Sequence, residues 1–264
     1  RRVTAPSEMP APIFLFTDFG GHGPYVGQMK AAIHRIVPTL TVVDLCHDVA
    51  PFQIRPAAHL LAALLSYLPA GACVVAVVDP GVGTARRGVM LEADGIRVVG
   101  PDNGLLAIAA RRAQRAVWHY LAEPPDGIAV TFHGRDWFGP TAARLQTGRC
   151  PPLIPLGNED HPEGMDWSPD WNHVIYIDGY GNAMTGLRAE GLRVEHVILI
   201  RHEIAVCHAR TFGDVPYGKP FWYANSCGLV EISVNQGNAA RQLGLTVGHA
   251  FDIRSQPCVV PEAT

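Results

Sequence analysis

Two segments of the chain combine acidic, basic and imidazole side chains at spacings that suit catalysis. Asp79 opens a Pro-Gly-Val-Gly-Thr turn after an apolar run, and Arg86 follows shortly after it. The turn is rigid enough to hold Asp79 and Arg86 together, with a surface ion pair as the alternative. His133 stands near Arg135 and Asp136. A histidine there can transfer protons because its pKa lies close to neutral, with a structural Arg135–Asp136 pair as the alternative.

A third segment, Thr17-Asp18-Phe19-Gly20-Gly21-His22-Gly23-Pro24, is rich in glycine and joins a predicted strand to a predicted helix. The carboxylate of Asp18 can accept hydrogen bonds from two neighbouring hydroxyls, as a ribose diol offers. A tight turn with a helix-capping aspartate is the alternative interpretation.

Two turns in the second half of the chain also carry polar and aromatic groups. Asp178-Gly179-Tyr180-Gly181-Asn182 offers a ring and an amide, which a flat heterocycle needs for stacking and for hydrogen bonds at its edge. Asn225-Ser226-Cys227-Gly228 is a similar candidate. Both are also ordinary turn sequences, so a purely structural role stays open.

Common catalytic and metal-binding signatures are missing from the sequence. The turn after Asp79 lacks the Gly-Lys-Ser/Thr ending of a phosphate loop, so we expect no nucleoside triphosphate site. The twelve histidines show neither H-x-x-x-H nor H-E-x-x-H spacing. We therefore expect neither a metal nor a cofactor, with ligands assembled from distant segments as the remaining alternative.

The first half of the chain alternates apolar strands with amphipathic helices. Strands are predicted at 13–16, 40–45 and 73–78, and helices at Tyr25–Ile36 and 54–68. A hairpin joining 89–91 to 96–99 and helices at 105–112 and 138–146 follow. This order predicts an α/β domain with a largely parallel sheet, whose ligand site lies at the carboxyl ends of the strands. Asp18 and Asp79 both fall at such ends.

The pattern changes after Cys150, where prolines become frequent. Short strands separated by turns follow, and a single short helix is predicted at Ala239–Leu243. The strands are predicted at 173–177, 194–200, 204–208, 220–224, 229–234 and 250–254. We predict an N-terminal domain over 1–155, a linker over 156–171, and a smaller all-β barrel domain over 172–264.

The composition is that of a globular protein with room for two modest domains. Of 264 residues, 48% are hydrophobic and 17% are charged. The net charge of -3 and the lack of a basic run predict no nucleic-acid or membrane partner. Six cysteines are scattered, and no apolar stretch follows Arg1-Arg2-Val3-Thr4. We therefore expect no signal peptide, thiols rather than a disulfide scaffold, and a cytoplasmic location.

Taken together, these segments resemble the S-adenosylmethionine hydroxide adenosyltransferase family, which is related to the fluorinase and chlorinase. The resemblance lies in their order and spacing, from about Ile13 to Phe251. The matching segments are Thr17-Asp18-Phe19-Gly20, Gly23-Pro24-Tyr25-Val26-Gly27, Val43-Asp44-Leu45-Cys46-His47, Val78-Asp79-Pro80-Gly81-Val82-Gly83-Thr84, Gly100-Pro101-Asp102-Asn103-Gly104, Thr131-Phe132-His133-Gly134-Arg135-Asp136, Ile177-Asp178, Gly181-Asn182, Asn225-Ser226 and Val234-Asn235-Gln236-Gly237.

The resemblance implies a hydrolase that converts S-adenosyl-L-methionine and water to adenosine and L-methionine by attack at C5′. The family's Asp-Arg-His catalytic set matches Asp79, Arg86 and His133. Halide-using relatives carry other residue types at the aspartate and histidine positions, which argues for water as the nucleophile. The family also implies a homotrimer with each site between the N-terminal domain of one subunit and the C-terminal domain of its neighbour.

Substrate contacts carry over position by position. Asp18 matches the residue that holds the ribose diol, and Cys227 stands where the fluorinase has an arginine near the methionine carboxylate. The resemblance therefore supplies no partner for that carboxylate. The implied substrate-binding residues are Asp18, Phe52, Phe132, Asp178, Tyr180, Asn182, Phe212, Ser226, Glu231, Val234 and Gln236.

Three other functions remain as alternatives to the hydrolase. The first is a halide-using 5′-halo-5′-deoxyadenosine synthase on the same fold. The second is a non-catalytic protein that binds adenosine or S-adenosylmethionine. The third is a metal-dependent phosphohydrolase, because aspartates and histidines are numerous.

Overall fold

The computed structural model describes residues 10–149, 151–157, 159–256 and Cys258. The start of the chain at 1–9 and Cys150 lie outside these residues. The chain divides into two compact units, and the first comprises residues up to Ile54 together with Tyr67–Met165. The second comprises Arg55–Ser66 and the residues from Asp166 onward. The domain boundaries drawn from the sequence remain a prediction, and they did not anticipate a separate helical segment in the second unit.

Seven strands form the sheet of the first unit, and they are β1 Ile13–Thr17, β2 Val42–Cys46, β3 Cys73–Val77, β4 Gly88–Ala93, β5 Ile96–Pro101, β6 Ala116–Leu121 and β7 Leu153–Pro155. The order across the sheet is β2-β1-β3-β5-β4-β6-β7. Strands β2, β1, β3 and β5 are parallel, whereas β4, β6 and β7 pair antiparallel. The sheet is therefore mixed, and the predicted parallel arrangement holds for one half of it.

The hairpin between β4 and β5 explains the antiparallel half. Asp94 and Gly95 connect the two strands with φ values of 48° and 85°. A two-residue turn with positive φ at both positions reverses the chain tightly, so the following strand must run antiparallel. The predicted hairpin is confirmed, and β6 and β7 extend the sheet from it.

In the described part of the chain, five α-helices accompany the strands, namely α1 Tyr25–Ile36, α2 Ile54–Leu65, α3 Ala107–Arg112, α4 Gly139–Gln146 and α5 Ala239–Leu243. A π-helical turn, Gly134–Phe138, runs directly into α4. The core of the first unit lies where Met29 and Ile33 of α1 and Phe138 pack against the buried strand β3. None of the described helices is long and apolar enough to cross a membrane.

The second unit also holds a seven-stranded sheet, built from β8 Trp171–Ile177, β9 Ala183–Arg188, β10 His196–Ile200, β11 Ile204–His208, β12 Pro220–Ala224, β13 Leu229–Val234 and β14 Asp252–Ser255. Its order is β14-β10-β11-β12-β13-β9-β8. The backbone N–H of Val174 donates to His249 at 2.9 Å, and that of Phe251 donates to Asn172 at 3.1 Å. These bonds link the two edges of the sheet, which therefore curls into a half-barrel.

Helix α2 is anchored in the second unit by aromatic contacts. The buried ring of His59 stacks on Trp171 with centroids 5.5 Å apart. The guanidinium of Arg55 lies 4.5 Å from the centroid of Trp171 and 5.5 Å from that of Trp167. Stacking and cation–π contacts of this kind hold the start of α2 against β8.

The cysteines correct one expectation from the sequence. Cys207 and Cys258 form a disulfide across 51 residues of sequence, with Cα atoms 5.6 Å apart. The expectation of free thiols is therefore wrong for this pair, because two cysteines so distant in sequence give no spacing signal. Cys46, Cys73 and Cys227 are free.

Candidate active site

The candidate site lies at the carboxyl edge of the parallel strands, where the sequence predicted it. Strands β1 and β3 are neighbours with Thr17 opposite Val77, so Asp18 and Asp79 emerge at the same edge. Both line a cavity of about 570 Å³ in the first unit. The cavity is lined by Asp18, Phe19, Tyr25, Pro51, Phe52, Val77, Asp79, Val82, Thr131, Phe132, His133 and Gly134.

Arg86 joins Asp79 to His133. Its Nη2 atom donates to Oδ2 of Asp79 at 2.5 Å and lies 2.9 Å from Nδ1 of His133. A guanidinium can only donate, so Nδ1 must accept and the proton of the neutral ring must sit on Nε2. The predicted trio is thus brought together, and the tautomer of His133 follows from its contact with Arg86.

Burial sets the protonation of this trio. The Asp79 and Arg86 side chains are only 3% and 7% exposed. Burial raises the pKa of Asp79 above its ordinary value and outweighs the opposing effect of Arg86. Burial and the neighbouring Arg86 charge both lower the pKa of His133. His133 is therefore neutral near neutral pH, while the Asp79 carboxylate is a stronger base than an exposed aspartate.

One oxygen of Asp79 takes no part in the hydrogen bond to Arg86. Oδ1 is buried and accepts no well-formed hydrogen bond from the described residues, although the Gly81 amide lies close enough to lower the pKa of the carboxyl group. A buried carboxylate oxygen without a partner is costly. It therefore keeps a lone pair that a hydrogen-bond donor reaching this wall of the cavity can use.

The loop between Asp79 and Arg86 is fixed by local bonds. The hydroxyl of Thr84 donates to the carbonyl of Gly81 at 2.7 Å. Gly83 has a φ of 81°, and a Cβ atom there would lie 2.9 Å from the carbonyl oxygen of Val130. Glycine is therefore required on both conformational and steric grounds, and the turn presents Asp79 and Arg86 in a fixed relation.

Asp18 is held at the mouth of the same cavity. Its Oδ2 atom accepts the backbone N–H of Phe52 at 3.1 Å. Phe52 adopts a φ of 64°, which is strained for a non-glycine residue, and its ring is exposed. This strained turn keeps Phe52 next to Asp18, and both residues line the cavity.

A chain of polar contacts supports the Asp18 loop from behind. Oγ1 of the buried Thr17 lies 2.8 Å from Nδ1 of His47, and Nε2 of His47 lies 2.9 Å from Asp44. Lys30 donates to the other oxygen of Asp44 at 2.7 Å. Asp44 and His47 belong to one of the matching segments, but the resemblance implied no role for them. Their contacts assign them to positioning Thr17.

Arg135 and Asp136 form the structural pair that the sequence left open. Arg135 donates to Asp136 at 2.6 and 2.8 Å and to Gln28 at 2.7 Å. Its guanidinium also lies 4.9 Å from the ring centroid of Phe132. The pair therefore holds Phe132 against the cavity, and it stands beside the trio rather than within it.

Two aromatic residues of the cavity were missed. Phe19 and Tyr25 contact Phe132, with ring centroids 5.8 and 5.6 Å from it. Tyr25 is the first residue of α1, where the periodic pattern runs through other positions, and Phe19 follows the more conspicuous Asp18. The available signal was their place within the two glycine-rich matching segments.

In the second unit, Asp178 organises the turn that carries Tyr180 and Asn182. Its Oδ1 atom accepts the backbone N–H groups of Tyr180 and Asn182, both at 2.9 Å. Its Oδ2 atom accepts the Asn182 side-chain amide at 2.9 Å. Tyr180 is 80% exposed, whereas Asn182 is buried. The turn is thus well ordered and presents a bare aromatic ring.

Glu231 forms a second polar cluster in this unit. It is buried, accepts a short hydrogen bond from the hydroxyl of Tyr223, and accepts another from Asn225 at 2.8 Å. Asn225 opens the turn that carries Ser226. The ring of Phe212 lies 5.5 Å from that of Tyr223. The predicted residues Phe212, Ser226 and Glu231 are therefore brought together.

The remaining predicted residues, Val234 and Gln236, lie where β13 leads toward α5. Val234 is buried in the core, and Gln236 has a φ of 51°. The Gly181 carbonyl accepts the backbone N–H of Ala240 at 2.9 Å, which ties the Asp178 turn to the start of α5. Backbone groups are what Val234 can offer a ligand, because its side chain packs inward.

Within the described residues, no group of three or more His, Cys, Asp or Glu side chains is arranged to hold a metal ion. The twelve histidines are instead distributed over both units.

Comparisons with known proteins match both halves of the chain to one family. The SAM hydroxide adenosyltransferase N-terminal domain matches residues 13–154, and the C-terminal domain of the same family matches residues 172–252. The matched segments include the trio in the first unit and the polar clusters of the second.

The chain is also similar to curated proteins over most of its length. It is 40% identical to an (R)-S-adenosyl-L-methionine hydrolase of Thermus thermophilus, over 90% of this chain and 97% of that protein. It is 39% identical to a protein of the same name from Salinispora arenicola, over 89% and 95%. A fluorinase of Actinopolyspora mzabensis is 22% identical over 90% and 95%.

Solved structures share the fold. An uncharacterized conserved protein from Thermotoga maritima is similar with a TM-score of 0.81 and 29% identity, over 91% of this chain and 99% of that one. A conserved hypothetical protein from Thermus thermophilus is similar with a TM-score of 0.73 and 37% identity, over 92% and 100%. With both domains matched and relatives of up to 40% identity among those compared, the chain belongs to the SAM hydroxide adenosyltransferase family.

Proposed function

We propose that this protein is an enzyme that hydrolyses S-adenosyl-L-methionine to adenosine and L-methionine. The observation that carries the proposal is the contact of Arg86 with both Asp79 and His133 at the wall of a cavity that also holds Asp18. This arrangement offers a base and fixed hydrogen-bond donors next to a ribose-binding carboxylate. The names of the hydrolase relatives support the same substrate.

The chemistry requires activation of water rather than of the leaving group. The sulfonium sulfur takes the electron pair of the C5′–S bond and leaves as a neutral thioether, so no acid is needed. Water is a weak nucleophile, and it must be aligned opposite that bond while losing a proton. Alignment alone lowers such barriers by as much as ~7–11 kcal/mol in model reactions.

Asp79 is the base in this proposal. Nδ1 of His133 accepts from Arg86 and Nε2 carries the ring proton, so the neutral histidine has no free lone pair to take a proton. Oδ1 of Asp79 has a free lone pair, and burial raises the pKa of this carboxylate. His133 donates to one lone pair of the water oxygen and the other lone pair attacks C5′. The positive charge of Arg86 stabilises the hydroxide character, and the proton passes to Asp79 as the O–C5′ bond forms.

The substrate is held by the remaining predicted residues. Asp18 accepts hydrogen bonds from the ribose diol, and Phe52 and Phe132 line the pocket around the nucleoside. In the second unit, Tyr180 stacks on the base and Asn182 bonds to its edge. Asp178 and Ser226 contact the methionine part, and Phe212, Glu231, Val234 and Gln236 complete the surroundings.

The finer architecture is part of the same proposal. The second domain is a small barrel, supported by the bonds between residues 172–174 and 249–251. The enzyme assembles as a homotrimer whose sites combine the N-terminal domain of one subunit with the C-terminal domain of the next. It acts in the cytoplasm without a cofactor, and we retain the boundaries 1–155, 156–171 and 172–264.

The test is incubation of the purified protein with S-adenosylmethionine in ¹⁸O-labelled water. Adenosine and methionine should form in equal amounts, with the label in the 5′-hydroxyl of adenosine. Label in methionine would refute attack at C5′, and binding without turnover would favour a non-catalytic protein. Formation of 5′-halo-5′-deoxyadenosine with added chloride or fluoride would favour the halide-using alternative.

A further inference from the structure

Three aromatic rings meet at one corner of the cavity. The centroids of Phe19, Tyr25 and Phe132 are 5.6 to 5.9 Å apart, and the ring planes stand at 61° to 84° to one another. All three residues line the cavity. Rings so steeply inclined form a three-sided corner rather than a parallel stack.

The position of this corner along the chain relates it to the reacting groups. Phe19 directly follows Asp18, and Phe132 directly precedes His133. Asp18 is the proposed ribose anchor, and His133 belongs to the trio that holds water. Between its ribose and the attacking water the substrate has C5′, and the sulfonium is bonded to C5′ on the side opposite the water.

We infer that Phe19 and Tyr25, with Phe132 as the third wall, recognise the positive charge of the sulfonium. Faces of aromatic rings attract cations, and the attraction increases when water is excluded. A carboxylate would attract the cation as well, but it would itself be a nucleophile beside an activated carbon. Rings stabilise the charge without that risk. This inference rests on the proposed function and deepens it.

The main contribution falls to Phe19 and Tyr25. Phe132 already has the guanidinium of Arg135 over one face at 4.9 Å, and a second cation on the ring gains less. The carboxylates of Asp18 and Asp79 also line the cavity, and Arg86 offsets the charge of Asp79. A test must therefore change the rings while leaving both carboxylates in place.

The contribution of the positive charge can be measured by comparing two ligands that are not hydrolysed. Sinefungin carries a protonated amine at the position of the sulfonium, and S-adenosylhomocysteine carries a neutral thioether there. The amine of sinefungin takes the place of the sulfonium methyl group, so the two ligands differ in the positive charge and in the ammonium group that carries it. Calorimetric Kd values for both ligands would be measured on wild type, Tyr25→Leu, Phe19→Leu and Tyr25→Phe.

We expect Tyr25→Leu and Phe19→Leu each to raise the Kd of sinefungin by about 3- to 10-fold. The Kd of S-adenosylhomocysteine should change by less than about 2-fold. Tyr25→Phe keeps the ring and should keep the preference for sinefungin. Tyr25 is half exposed at the start of α1, so its replacement leaves the core intact.

An equal rise in the Kd of both ligands would overturn the inference, because the rings would then contribute apolar contact and no recognition of charge. Loss of the preference in Tyr25→Phe would also overturn it, because the hydroxyl and not the ring would then be responsible. If wild type bound neither ligand, the proposed function would fail together with this inference. These results are distinct from one another.

Discussion

Nη2 of Arg86 lies 2.9 Å from Nδ1 of His133, and this contact fixes which ring nitrogen carries the proton. The same Nη2 atom donates a hydrogen bond to Asp79. The trio is therefore asymmetric, because its histidine is arranged to donate and its aspartate to accept. The asymmetry makes the roles of the two residues separable by mutation.

Asp79→Asn should lower kcat by about 10²-fold or more, because it removes the general base. His133→Gln retains an amide donor near the position of Nε2 and should lower kcat by a smaller factor, about 10-fold or less. Single-turnover measurement of adenosine release would compare them, with His133→Ala as the variant that removes the donor. A larger loss in His133→Gln than in Asp79→Asn would assign the base to the histidine.

The acidic limb of the activity profile should report Asp79. The active form is the carboxylate, so kcat/KM should fall as pH drops through its pKa, which burial raises above the ordinary aspartate value. Arg86 lowers that pKa. In Arg86→Met, the fall of the residual kcat/KM with decreasing pH should therefore occur at a higher pH than in wild type. A limb that stays in place or moves to lower pH would contradict this electrostatic assignment.

Stability should decline in mild acid because of one buried and two half-buried histidines. Burial lowers the pKa of His133, His173 and His208. The unfolded chain takes up protons below about pH 6.5 while these folded histidines resist protonation, so unfolding becomes more favourable as pH falls through that window. Urea midpoints at several pH values would measure the decline. His208→Gln should flatten it, whereas His22→Gln in an exposed loop serves as control; equal profiles would disprove the effect.

His47 should act on substrate binding more than on chemistry. It links Thr17 to Asp44 behind the Asp18 loop. His47→Ala should raise KM for S-adenosylmethionine by about 3- to 10-fold, as expected for hydrogen bonds worth ~1 kcal/mol, with little change in kcat. Steady-state kinetics would show the split, and Lys30→Gln at the far end of the contact chain should have less effect. A drop in kcat at constant KM would place His47 in the chemistry instead.

Regular elements with strong periodicity were predictable from sequence. Helix α1 was predicted at Tyr25–Ile36, where it is found, because Val26, Met29, Ile33 and Ile36 recur at helical spacing. Strand β3 is apolar throughout and was predicted to within one residue. In such segments the local pattern and the buried environment agree.

Elements whose stability comes from their neighbours escaped prediction. Strand β9 contains Gly186 in its interior, and glycine is a poor signal for a strand. Gly186 is needed because a Cβ atom there would lie 2.7 Å from the carbonyl oxygen of Trp171. Strands β6 and β7 were also missed, and β7 has three residues ending in a proline.

The candidate site divides in the same way. The positions of Asp18 and Asp79 at the carboxyl edge of the sheet were predictable, because each follows an apolar strand. The convergence of Arg86 on His133 spans 47 residues of sequence, and it was expected from the family resemblance rather than from spacing. The aromatic corner and the Cys207–Cys258 bond depend on tertiary contacts that no local pattern encodes.

The position of helix α2 in the sequence limits how this protein can be divided into separately expressed fragments. Its sequence lies between two strands of the first unit, but its contacts assign it to the second. A fragment ending near residue 165 would carry α2 without Trp171, on which the buried ring of His59 stacks. Such a fragment would tend to aggregate, and the complementary fragment would lack a helix. Neither half can be produced faithfully as one uninterrupted stretch of polypeptide.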